Sequence, residues 1–138
     1  MTNSHELDGR VKDLTLIDCP ELPAPAGHYS HIAKHGGIAY ISGQLPVTSD
    51  GRRLSAEPFE VQARQVLSNV EACLRAAGSS PDRLVSVTVY VTDIGQWPQF
   101  DRLYQAWLGD HRPARIVAGV SELHYGCAVE VQAVAIAD

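Results

Sequence analysis

Apolar residues in this chain recur at two spacings, and each spacing predicts a kind of element. From Phe59 they fall at Phe59, Ala63, Val66, Leu67, Val70, Cys73, Leu74 and Ala77, the period of an amphipathic helix, with Gly78 as the stop. A second helix opens near Pro98, which a first turn tolerates, and carries Phe100, Leu103, Tyr104, Trp107 and Leu108 on one stripe before Gly109. Between them, Leu84 to Val91 alternates with period two: Val85, Val87, Val89 and Val91 on one side, Ser86, Thr88 and Tyr90 on the other. Cys127 to Ala137 alternates likewise, with Val129, Val131, Ala133 and Ala135 opposite Glu130, Gln132, Val134 and Ile136. His31–Lys34 and Ile38–Ser42, separated by His35, Gly36 and Gly37, read as a hairpin, and Ala114–Val120 as one more strand.

The order is strands, helix, strand, helix, strands, and two helices cover only one face of such a sheet. The other face, with Thr88, Tyr90, Val134 and Ile136, is too apolar for water, so the pattern predicts a closed homo-oligomer. Glu130 and Gln132 then lie at or near a subunit boundary.

Composition narrows the picture. At 138 residues the chain fits one domain, 1–138, with residues 1–12 as a flexible N-terminal extension. Pro20, Pro23 and Pro25 mark a short stiff loop, and there is no repeat or low-complexity tract. No stretch is long and apolar enough to span a bilayer, and polar Met1 to Arg10 lacks a secretory signal's apolar run, so the expected location is cytoplasmic. Cys19, Cys73 and Cys127 have no paired spacing and read as free thiols. Eleven basic residues against sixteen acidic ones, a formal charge of -5, make nucleic acid a poor partner.

Few residues offer chemistry. By residue type alone, Arg115 near a strand start is more often a surface ion-pair partner than a ligand for an anion, and Glu130 is a structural carboxylate as readily as a functional one. Tyr29 and Tyr90 read as packing residues with a wet hydroxyl. His28 and His31 point to opposite faces of an extended segment, and with His35 they have no carboxylate or thiol cluster beside them, so no metal is expected. Ser42 has no general base in a recognisable motif.

Four stretches taken together resemble the reactive-intermediate deaminase (Rid, YjgF-type) family. They are Gly27-His28-Tyr29; Ile41-Ser42-Gly43-Gln44-Leu45-Pro46-Val47; Gln62-Ala63-Arg64-Gln65 with Asn69-Val70; and Pro113-Ala114-Arg115 with Val129-Glu130-Val131. The resemblance runs from about Leu14 to the C-terminus. It implies an α+β, chorismate-mutase-like fold with a mixed sheet and two helices on one face, assembled as a homotrimer with three clefts between subunits. It also implies hydrolysis of 2-aminoacrylate-like enamines and imines to 2-keto acids and ammonia, with no metal or cofactor. By the same resemblance Arg115 holds the substrate carboxylate, Glu130 positions water, and Tyr29, Ser42 and Gly43 wall the cleft.

These residue types suit that chemistry. An imine carbon is already electrophilic, so the catalyst must hold the carboxylate, present water and manage protons. A guanidinium gives two parallel hydrogen bonds to a carboxylate, and a partly desolvated glutamate has a raised pKa suited to proton exchange.

The chain also departs from the pattern. Asp101 stands where many relatives have asparagine, Val117 where cysteine is frequent, and His124 where proline follows leucine; Gln132 differs as well. Asp101, Val117 and His124 are expected to line the cleft, and a second carboxylate there would repel an anionic substrate unless paired. The substrate can therefore differ from 2-aminoacrylate. Two alternatives stay open: a non-catalytic module that binds a small keto acid, and a tailoring enzyme of specialised metabolism.

Overall fold

In the computed structural model the described residues are 13–138, preceded by the backbone of Glu6–Leu7 paired antiparallel with Arg10–Val11. The flexible extension expected over residues 1–12 otherwise lies outside the described residues. The chain runs β1 (Thr15–Ile17), β2 (Ile32–His35), β3 (Ile38–Gln44), α1 (Phe59–Ala76), β4 (Leu84–Val91), α2 (Trp97–Leu108), β5 (Ala114–Gly119) and β6 (Val129–Ile136). The six strands form one mixed sheet in the order β1-β2-β3-β6-β4-β5. Only β4 and β5 pair in parallel, and α2 makes the crossover between them.

The periodic segments become the elements they predict because each has one face to bury. Val66, Val70, Cys73 and Leu74 of α1 are fully buried against the sheet, where Ile41, Val87, Val89, Val131 and Ala133 meet them. The helix stops at Gly78, whose φ of 79° suits only glycine well. Phe100 and Tyr104 of α2 are buried as well. In the hairpin, Gly36 and Gly37 take φ of 60° and 79°, the two positive values a two-residue primed turn requires. His35 therefore pairs with Ile38 as the last residue of β2 instead of lying in the turn.

One sequence expectation fails. Val85 does not share the face of Val87, Val89 and Val91: it is exposed, and Leu84 is buried in its place. The register of β4 against β6 shifts between Leu84 and Ser86, so Val85 is the extra residue of a bulge and the alternation starts afresh after it.

Both helices lie on one side of the sheet. The other side carries Leu16, Tyr40, Ile116 and Ile136 as exposed apolar residues, with Ile116 60% exposed. Nothing among the described residues covers that face.

Candidate functional site

Strand register places the expected site residues in two groups. Glu130 is level with Tyr90 on β4, and Tyr90 with Ala118 on β5, so this row projects from the helix-free face. Arg115 is level with Val87, whose side chain is buried under the helices, so the guanidinium projects from the opposite face. Within one chain Arg115 and Glu130 do not share a cavity.

The first group gathers at the edge strand β5. Arg115 Nη1 donates to Asp101 Oδ1 of α2 at 2.6 Å, and the guanidinium carbon lies 5.0 Å from the centre of the Tyr104 ring. The surface ion-pair reading of Arg115 is thus realised in the isolated chain, with Asp101 as its anion. Val117 is two residues along the same face, partly buried against the core. Arg115, Asp101 and Tyr104 line a hollow of about 970 Å³ at the end of α2. Burial pushes the Tyr104 phenol up to about 12, so it stays a neutral donor, and its Oη has no hydrogen-bond partner among the described residues.

The second group forms around a bulge in β3. Ile41 pairs with Ala133 and Gln44 with Val131, so Ser42 and Gly43 together oppose the single residue Gln132. The bulge turns Gly43 onto Glu130: a Cβ at position 43 would stand 3.1 Å from Glu130 Cδ and closer still to a carboxylate oxygen. The missing side chain at Gly43 leaves the room that the Glu130 carboxyl occupies. Half-burial raises the Glu130 pKa, and the charge of nearby His124 pulls it partly back. The desolvated glutamate expected from sequence is present, with its burial supplied by its own chain.

Tyr29 joins this second group, lining one hollow with Ser42 and another with Gly43. Ser42 Oγ donates to the Ser30 carbonyl at 2.7 Å and Ser42 N to the His31 carbonyl at 2.9 Å, which anchors the bulge. His31 is buried, with Nδ1 accepting from Cys19 N, while His28 is exposed, so these histidines do not act together. Among the described residues no three metal-binding side chains cluster. The three cysteines are buried and unpaired.

Gln62 and Asn69 prove to be clamps. Gln62 Oε1 accepts from Ala128 N at 2.9 Å, two residues before Glu130, and Asn69 Nδ2 donates to the carbonyls of Leu45 and Val47. They hold α1 against the two segments that carry the acid and the bulge.

With this geometry in hand, the likeness to known proteins is specific. The sequence model of the family described as Endoribonuclease L-PSP matches residues 19–137. The chain belongs to this family. Its Rid-type members include close structural matches: RidA from the Antarctic bacterium Psychrobacter is 34% identical, with a TM-score of 0.84 over 88% of this chain and 98% of that one. Protein HMF1 of Saccharomyces cerevisiae is 35% identical over 91% of this chain and 96% of its own length. The crystal structure of E. coli TdcF with bound serine matches at 27% identity and a TM-score of 0.83, over 90% of this chain and 99% of that one. The mixed sheet with two helices on one face is the Rid-type fold.

Proposed function

We propose that this Rid-type protein is a hydrolytic deaminase that converts a small carboxylate-bearing imine or enamine to a keto acid and ammonia, in clefts formed between the copies of a homotrimer. The observation that carries this reading is the division of the site residues between two faces. One face offers a cation for a carboxylate, the other a raised-pKa acid in the room left by Gly43, and each is half of what the reaction needs. The helix-free face beside Glu130 is apolar enough to be covered by another copy, and β5 is an edge strand that brings Arg115 to the margin of the molecule.

The chemistry uses few parts. Arg115 of one copy fixes the substrate carboxylate and so orients the C=N bond. Glu130 of the next takes a proton from water as its oxygen bonds to the carbon of the protonated imine, giving a neutral carbinolamine. The same carboxyl returns that proton to nitrogen and then takes the hydroxyl proton as the C–N bond breaks, so that the carbonyl forms and ammonia leaves. An enamine would first accept a proton at its terminal carbon to become the imine. The serine held by the relative TdcF has the α-nitrogen and carboxylate that such a substrate carries. Ribonuclease activity, in the wording of the family's description, is disfavoured by the net charge of -5.

Subunit mixing tests the reading directly. Arg115→Ala and Glu130→Gln should each abolish acceleration of keto-acid release from imines generated by a serine or threonine dehydratase. Mixed after mild dissociation and reassembly, the two inactive variants should regain up to about a quarter of wild-type activity, the share of clefts that receive both intact residues. Loss in both variants with no recovery on mixing would refute the shared cleft. Full activity in either variant would refute the mechanism.

A further inference from the structure

A second guanidinium, distinct from that of Arg115, lies on the Glu130 side of the molecule. Arg53, in the loop between β3 and α1, lies with its guanidinium carbon 3.6 Å from the centre of the Tyr125 ring. At that separation the ring covers one side of the guanidinium, and its N–H groups have no hydrogen-bond partner among the described residues. Among the described residues Arg53 has no carboxylate within 4.0 Å. It lines a hollow of about 200 Å³ with Tyr29, Gly43, Asn69 and Tyr125, and no acidic residue borders that space.

The other polar groups there are already engaged. Asn69 spends its amide on the Leu45 and Val47 carbonyls and accepts from Gln65, and His31 Nδ1 takes the Cys19 N–H. Arg53, the hydroxyls of Tyr29 and Tyr125, and His31 Nε2 remain as donors, while Gln44 gives its amide N–H to the Ser42 carbonyl. Tyr125 holds a φ of 65°, a costly conformation for a non-glycine residue.

The hollow adjoins the acid. Gly43 is its wall on one side and touches Glu130 on the other. The buried Cys127 thiol, raised first by burial, is raised further by Glu130 and pulled down by Arg53, so both charges lie near the same sulfur.

We infer that Arg53 is a specificity residue that binds a second carboxylate, so that the cleft of the proposed deaminase favours imines of amino-dicarboxylic acids. This rests on the deaminase reading above. A lone guanidinium with its edges exposed matches the two oxygens of a carboxylate, whereas a phosphate group usually draws on several cations and this hollow offers one. A hollow of this size accepts an acid arm of two or three carbons. Arg115 would take the α-carboxylate, Glu130 would face the C=N carbon, and Arg53 would hold the distal carboxylate.

The test compares 2-iminoglutarate with 2-iminobutanoate, each generated by an amino-acid oxidase, in wild type, Arg53→Gln and Arg53→Lys. Wild type should favour the dicarboxylate in kcat/KM. Arg53→Gln should lower the dicarboxylate-to-monocarboxylate ratio about tenfold, mainly through KM, and Arg53→Lys should restore part of it, because lysine keeps the charge and loses the fork. Calorimetric binding of 2-oxoglutarate and 2-oxobutyrate gives the same comparison without turnover. Preferential 2-oxoglutarate binding that Arg53→Gln abolishes, with no imine hydrolysed, would uphold the carboxylate site and reject the deaminase. Turnover of 2-iminobutanoate with no dicarboxylate preference in rate or binding, or a ratio unmoved by Arg53→Gln, would leave Arg53 as a structural clasp on Tyr125 and overturn the inference.

Discussion

Glu130 keeps its carboxyl group in the space that a side chain on Gly43 would fill, with the virtual Cβ only 3.1 Å from Glu130 Cδ. Gly43 has an ordinary negative-φ backbone, so alanine there is resisted by the carboxyl alone. The carboxyl is the free end of a flexible side chain and can swing aside. Gly43→Ala should therefore fold, with stability within about 1 kcal/mol of wild type, while kcat falls about a hundredfold because the acid is displaced by the order of an ångström. Thermal melts and initial rates on the same preparation check both halves; unchanged kcat would mean that the position of Glu130 does not matter to the reaction.

The raised pKa of Glu130 gives a signed effect on stability. Burial favours the protonated form in the native state, so across the interval above the ordinary glutamate value the folded protein binds more protons than the unfolded one. The contribution is full below the unfolded pKa and is lost as pH rises through the folded one. Glu130→Gln cannot suffer that loss. The difference in melting temperature, variant minus wild type, should grow as pH is raised from about 4 to about 7, and a flat difference would show that the carboxyl titrates normally.

In the proposed cleft, Asp101 would compete with the substrate carboxylate for Arg115. Its carboxylate is 2.6 Å from Arg115 Nη1, and both side chains are partly exposed, so the pair is worth no more than about 1 kcal/mol. Asp101→Asn should release that hold and lower KM for a monocarboxylate imine by about fivefold, with little change in melting temperature. A higher KM would instead assign Asp101 a direct contact with the substrate.

The helix-free face gives a separate test of assembly. Ile116 is 60% exposed at the centre of β5, level with Thr88 on β4. An Ile116→Asp variant should remain folded by circular dichroism, shift to monomer mass in light scattering, and lose turnover together with its trimer. A monomeric wild-type mass, independent of concentration, would remove the basis of the shared cleft.

Much of this architecture was legible because it is local. The apolar stripe of α1, its stop at Gly78, the Gly36–Gly37 turn and the alternation of β6 each depend on neighbours within a few residues. Alternation puts Val85 with the buried valines because it assumes an unbroken register, and the bulge after Leu84 breaks it. The approach of Gly43 to Glu130 depends on a second register shift, between Ile41 and Gln44, which no period in the sequence announces. The Asp101–Arg115 pair joins a helix to the strand after it, and Arg53 meets Tyr125 from a loop far away in sequence. Resemblance marked Asp101 as a departure, but only the fold gave it a partner. Arg53 belongs to no motif, and nothing in its turn-rich loop distinguishes it from any other surface basic residue.

The opposite projection of Arg115 and Glu130 also bears on how such a protein would be controlled. A solitary chain would carry an anchor without its acid on one side and an acid without its anchor on the other. Rate would then rise more steeply than abundance at low expression, and dilution would silence turnover while every chain stayed folded.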